Sequence, residues 1–225
     1  MKSKTKREIL KHLAAAGLLG SAGIAGLIRE ALANGTKPVK PGIHKIKGNV
    51  TINGKPAEVG MNVGNDATIV TGASSEAIFV IGQDAYLQRE KSSVSFAGRT
   101  AGVTADVMRV LTGGILSVFG KGDKKLLTPS ATIGIRGTGC YIEIETHRDY
   151  FCLCYGSAEV SPTTEPNRIK RIVTKHHEQP IYIHRESTIA TIANAPMINH
   201  TDAELTLLES LVGRLPPFDE NDYRY

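Results

Sequence analysis

The stretch from Thr128 to Glu143 constrains the fold more than any other part of the chain. The step Thr128-Pro129 biases Thr128 toward extended backbone. β-Branched residues then alternate with Gly134, Gly137 and Gly139 around Arg136, and from Cys140 an alternating strand takes over. Glycines among β-branched neighbours imply backbone that passes close to other backbone, or φ values that side chains disfavour. The stretch therefore reads first as a structural crossing within a β domain and only second as a binding loop. Arg136, whose fork suits carbonyls or a carboxylate, is expected to tie a loop, so that Arg136→Lys lowers thermal stability.

Short β-like segments separated by turn signals surround this stretch, as in an all-β domain. Val50-Thr51-Ile52 precedes Asn53-Gly54, a pair suited to a tight hairpin, and Pro56 marks the next segment as peripheral. Further strands are expected at 67–71, 77–81 (the most apolar, and so central) and 85–87. Gly113-Gly114 is expected to join two separate strands, 107–112 and 115–119. A hairpin is expected to run from Cys140 to Tyr155 with its turn at His147-Arg148-Asp149. Ile144 then faces Cys152 and Ile142 faces Cys154, which places Cys140, Cys152 and Cys154 on one core-facing side. After a loop at 161–166, strands are expected at 169–174 and 181–183. Thr201-Asp202-Ala203-Glu204 reads as a capped helix start, followed by leucines at helical spacing and stopped by Gly213 and Pro216-Pro217.

The formal net charge of +5 raises the question of nucleic acid. Six basic and two acidic residues lie within 1–33, so all but one of the excess charges belong to the N-terminus. A near-neutral remainder lacks the basic stripe that phosphate-backbone binding requires. The N-terminus instead reads as an export signal: a basic opening, the 16-residue apolar run Leu13 to Ile28, and the small-residue pattern Ala31-Leu32-Ala33. Lys6-Arg7-x-Ile9-Leu10-Lys11 is similar to a twin-arginine signal with Lys in place of the first Arg, which implies export of a folded protein. Ordinary export and an uncleaved anchor with its basic end in the cytoplasm remain the alternatives.

Few residues offer chemistry. Cys140, Cys152 and Cys154 are read as small apolar core residues, with a Cys140–Cys154 disulfide or a metal site as alternatives. Structural zinc wants four ligands, and the nearest candidates for a fourth, His147, His176 and His177, are not brought together by spacing. His176-His177-Glu178 lacks the second His of a His-Glu-x-x-His motif and reads as a solvated loop. No Gly-x-Ser-x-Gly elbow is present. Gly114 to Lys121 misses a phosphate loop by one residue and by Gly122 in place of Ser or Thr. No acid, base and nucleophile are placed together, so an enzyme is not expected.

Thr128-Pro129 followed by Gly134-Ile135-Arg136-Gly137-Thr138, with Leu111-Thr112-Gly113-Gly114 before it, resembles the signature of the FecR domain. The pattern continues upstream through Gly48-Asn49-Val50, Asn53-Gly54, Ala57, Gly60, Val63, Thr71-Gly72, Ser75 and Ala77, and the match covers roughly 45–160. The resemblance implies an exported all-β module, in a family best known for relaying an outer-membrane iron-uptake signal to a cytoplasmic sigma factor. About a dozen residues precede the apolar run, too few for a sigma-holding region, so the β module is expected without that role.

The expected organisation is an export signal or anchor at 1–33, a linker at 34–44, the FecR-like domain at 45–160, a β/loop extension at 161–200, and a helix with a tail at 201–225. The expected fold is all-β, a rolled sheet, sandwich or short β-solenoid, with an N-terminal signal helix and a short C-terminal helix. The expected function is a non-catalytic, cofactor-free binding or signal-relay module in the cell envelope. It would be periplasmic or anchored in the inner membrane facing the periplasm, meeting a protein or cell-wall glycan, with any membrane contact confined to an uncleaved N-terminus. The alternative is an exported metal-binding protein using Cys140, Cys152 and Cys154.

Overall fold

A computed structural model describes residues 24–98, 106–186 and 190–218. The export-signal expectation therefore lies outside the described residues except for its last turns, which form helix α1 (Ile24–Asn34). No helix among the described residues is long and apolar enough to cross a membrane.

Among the described residues fourteen strands form one sheet. They are β1 (Gly42–Lys47), β2 (Val50–Ile52), β3 (Lys55–Pro56), β4 (Thr68–Thr71), β5 (Glu76–Ile81), β6 (Asp84–Gln88) and β7 (Ser93–Ala97), then β8 (Val107–Val118), β9 (Asp123–Leu127), β10 (Ala131–Ile144), β11 (Arg148–Pro162), β12 (Lys170–Thr174), β13 (Ile181–His184) and β14 (Ile192–Asn194). Helix α2 (Asp202–Leu211) follows them. The fold is all-β, and of the expected forms it is the rolled sheet. Every pairing is antiparallel except β8 with β9, which rules out the stacked parallel rungs of a solenoid.

The three longest strands roll and fork the sheet by changing partners along their length. β8 pairs with β7 and β9 through its first half and with β6 and β10 through its second. β11 keeps β10 on one side but takes β13 and then β12 on the other. Gly113-Gly114 therefore does not join two strands as expected; β8 runs straight through it. Gly113 has φ +69, and a Cβ there would sit 2.1 Å from Ser92 Oγ and 2.6 Å from Ser92 Cα. The glycine lets β8 bend over the end of β7 rather than turn back. The β2–β3 turn is as expected, with Asn53 at φ 50 and Gly54 at φ 76, the left-handed pair of a tight hairpin.

Each face of the sheet carries a core. The inner face packs Phe79, Tyr86, Phe96, Ile115, Cys140, Ile142, Phe151 and Leu153, with the Phe79 and Phe96 rings each 5.0 Å from that of Tyr86. The outer face packs Leu87, Leu116, Tyr141, Tyr150, Cys152 and Cys154 under Leu205, Leu207, Leu208 and Leu211 of α2, with Ala31 of α1. Helix α2 begins as its sequence implies: Thr201 caps it, with Glu204 completing a capping box.

The β10–β11 hairpin corrects the expected register. Cys140 pairs with Leu153, Tyr141 with Cys152 and Ile144 with Asp149, so the turn falls at Thr146-His147, closed by the Glu145 amide on the Arg148 carbonyl at 3.0 Å. Asp149 belongs to the strand because its buried carboxylate accepts the Ser130 amide at 2.8 Å and pairs with Arg185. The slide of three residues, an odd number, reverses which side chains share a face. Cys140 therefore lies in the inner core and Cys152 and Cys154 in the outer one. The Cys140–Cys154 disulfide is not formed, and all three thiols are free.

Candidate functional site

β11 presents Cys152 and Cys154 to the outer core, both fully buried. Two residues apart on a regular strand would suffice to share a face, and a bulge adds to this. Gly139 pairs with Tyr155 and Cys140 with Leu153, which leaves Cys154 as the extra residue, next to Tyr155. The turn after β12 brings His177 over this face. Its left-handed backbone, φ 55, turns the chain inward, and its amide donates to the Cys154 carbonyl at 3.0 Å. His200 arrives from the segment just before α2, stacked 4.9 Å from the Tyr141 ring. The solvated-loop expectation for His176-His177-Glu178 is thus corrected: the His177 side chain is 1% exposed.

The four side chains converge. Cys152 Sγ lies 3.3 Å from His177 Nδ1, and His177 Nδ1 lies 3.1 Å from His200 Nε2. One ligand atom from each of Cys152, Cys154, His177 and His200 falls within 4.8 Å of every other. Outer partners orient both rings. His177 Nε2 donates to Asp202 Oδ1 at 2.9 Å and His200 Nδ1 to the Ile198 carbonyl at 2.6 Å. His176 Nε2 meets the other Asp202 oxygen at 2.9 Å.

The electrostatics follow from this geometry. The bond from Cys154, then those from His177 and His200, hold the Cys152 thiol well below its ordinary range despite burial. Burial pushes the Cys154 thiol up, and Cys140 likewise. For His177, burial opposes the charge, but Asp202 and Cys152 outweigh it and raise the imidazole to about 9. Asp202 is shifted down because its bonds to His177 and His176 exceed its own burial cost. Cys152, His177 and Asp202 thus form a line that resembles an activated nucleophile, a base and its orienter. With Cys152 at 0% exposure, a substrate has no approach to it.

The metal expectation changes membership accordingly. Cys152 and Cys154 belong to the cluster, whereas Cys140 lies on the other face and takes no part. His177 was among the candidate fourth ligands; His147 is instead exposed and paired with Glu186. Sequence reasoning missed His200 and Asp202. Their signal was the capped helix start, which anchors both beside the sheet, but nothing local says which strand they meet.

The signature residues lie elsewhere. Thr128 Oγ1 accepts the Ala131 amide at 3.0 Å, closing the turn into β10; the Pro129 carbonyl accepts from Thr163 at 3.3 Å; Thr138 is buried. Gly137, φ 53, takes the bulge that follows Arg136, as the glycine pattern implied. Arg136 meets a carboxylate, that of Asp123 at the start of β9, at 2.6 Å, and both side chains are about three-quarters exposed, so water screens the pair.

Pairing aligns Asp123, Arg136, Ser157 and Val173 in one row across β9, β10, β11 and β12, and Lys125, Gly134, Glu159 and Arg171 in the next. The rows border an open trough of about 400 Å³. Arg171 bonds Glu159 at 2.9 Å on one flank, Gly134 leaves the floor bare, and Val173 stands 70% exposed.

No family model matches the chain, and no curated protein matches it. Two crystal structures of a "putative anti-sigma factor" from Parabacteroides distasonis ATCC 8503 are similar, each at 12% identity and a TM-score of 0.45. The likeness covers 56% of this chain and 59% of that one, so the chain spans less than two thirds of that protein's length.

Proposed function

We propose that this chain is a non-catalytic, exported binding and relay module of FecR type that meets a protein or a cell-wall glycan through the trough on β9–β12. The observation that carries the reading is the position of the signature stretch. Its middle sets Gly134 and Arg136 on the bare and charged floor of the trough, while Ile135 between them is buried in the inner core. Two cross-strand ion pairs, Asp123–Arg136 and Glu159–Arg171, accompany an apolar contact at Val173, a pattern suited to an extended chain with alternating polar groups. Among the described residues β12 pairs with β11 alone, which leaves its second edge for an added strand. The basic, twin-arginine-like opening supports passage out of the cytoplasm as a folded body.

Photoreactive side chains placed at Val173 and, as a control, at Val70 in the full chain in its own envelope test this. Labelling of a partner or of peptidoglycan from Val173 but not Val70 is expected, with loss in Arg171→Glu and no change in melting temperature. Equal labelling from both positions, or none from either, overturns the proposal.

A further inference from the structure

His200 Nδ1 faces a carbonyl, which can only accept, so this nitrogen carries the proton and the neutral ring presents a bare lone pair at Nε2. Asp202 fixes the neutral form of His177 the same way, with the proton on Nε2 and the lone pair on Nδ1. In that form the two lone pairs point at one another across 3.1 Å. Such a contact between buried acceptors needs a positive centre, supplied either by a second proton on His177 Nδ1 or by a metal ion shared with the sulfurs. Two sulfurs complete the surroundings, and all four donor groups are buried.

We propose that Cys152, Cys154, His177 and His200 hold one tetrahedral Zn²⁺. The donor set is two sulfurs and two imidazole nitrogens, the softness and number that structural zinc takes. With metal–ligand bonds of about 2.0–2.3 Å, tetrahedral donors stand about 3.3–3.8 Å apart. The 3.3 Å separation lies at the lower edge of that range and the 3.1 Å separation just below it, so the ligands need only open slightly to take the ion. Asp202 behind His177 and the Ile198 carbonyl behind His200 are the outer partners that orient metal-binding imidazoles. Four protein donors fill a tetrahedral shell and all four are buried, so the ion is structural. It joins β11, the turn after β12 and the approach to α2, and so reinforces the hydrogen bonds from the His177 amide to the Cys154 carbonyl and from His176 and His177 to Asp202. The two intervals that separate Cys154, His177 and His200 hold 22 residues each, far beyond the spacing of a local metal knuckle.

The test uses the full chain purified with its thiols reduced and analysed for metal by mass spectrometry. One zinc per chain is expected, and Co²⁺ in its place should give the intense visible absorption of a tetrahedral thiolate site. Cys152→Ser and His200→Gln should each lose the metal, Cys140→Ala should keep it, and Asp202→Asn should weaken binding about 10–100-fold. Stripping zinc from the unaltered chain should lower the melting temperature by about 10 °C, as expected for an ion whose dissociation constant lies well below its free concentration. A folded wild-type chain that stays metal-free after incubation with Zn²⁺ and desalting overturns the proposal and leaves a thiolate–imidazolium pair in the cluster. Loss of zinc in Cys140→Ala with retention in Cys152→Ser overturns it too. The trough and its partner do not enter this test, so the two proposals stand or fall separately.

Discussion

Asp84 holds one end of the sheet together by accepting from three directions. Lys124 Nζ reaches one carboxylate oxygen at 2.8 Å, Tyr86 Oη approaches the same oxygen at 3.5 Å, and the Gly120 amide donates to the other at 2.8 Å. Both charged side chains are at most 5% exposed. Removing one partner of a buried pair strands the other charge, so Asp84→Ala should cost about 3–5 kcal/mol in urea unfolding. Glu209 illustrates a different balance. It accepts from Tyr155 and pairs with Arg214, yet burial is the larger influence and raises its carboxyl above the ordinary 4.5. Between 4.5 and that raised value the folded chain holds a proton the unfolded chain has released, so stability falls as pH rises through this window. Glu209→Gln should flatten that slope in a melting-temperature series taken upward from pH 4.5.

At the scale of elements, bends and bulges in the long strands decide where side chains go. β8 carries its bend at Gly113, where an alanine would meet both a left-handed backbone and Ser92. Gly113→Ala should cost at least about 1–3 kcal/mol, read from the urea midpoint, and should disturb β7 before β10. The bulge at Cys154 puts Cys154 and Tyr155 side by side on the outer face. Local chemistry made several elements legible: Asn53-Gly54 turns because both residues accept positive φ, and Thr201 to Glu204 cap a helix through their own side chains. The β10–β11 register was not legible. Its turn position depends on Asp149 finding Ser130 and Arg185, partners 19 and 36 residues away.

At the scale of the whole molecule, a rolled sheet with two covered faces brings distant segments into one cluster. Helix α2 closes over the outer face, fastened by Arg89 to Glu204 at 2.9 Å and by Tyr155 to Glu209. It carries His200 and Asp202 to the two cysteines of β11. The chain's own order of residues determined the all-β class, the tight turns, the capped helix and the separation of a basic N-terminus from a near-neutral body. Each of these rests on backbone preference, alternation or net charge, which act over a few residues or need no geometry at all. Only the tertiary structure decided that Cys140 parts from Cys152 and Cys154, that Arg136 faces water, and that His177 and His200 meet. A strand's facing depends on pairing parity, and a cluster depends on which surfaces cover one another; both are set by contacts between residues far apart along the chain.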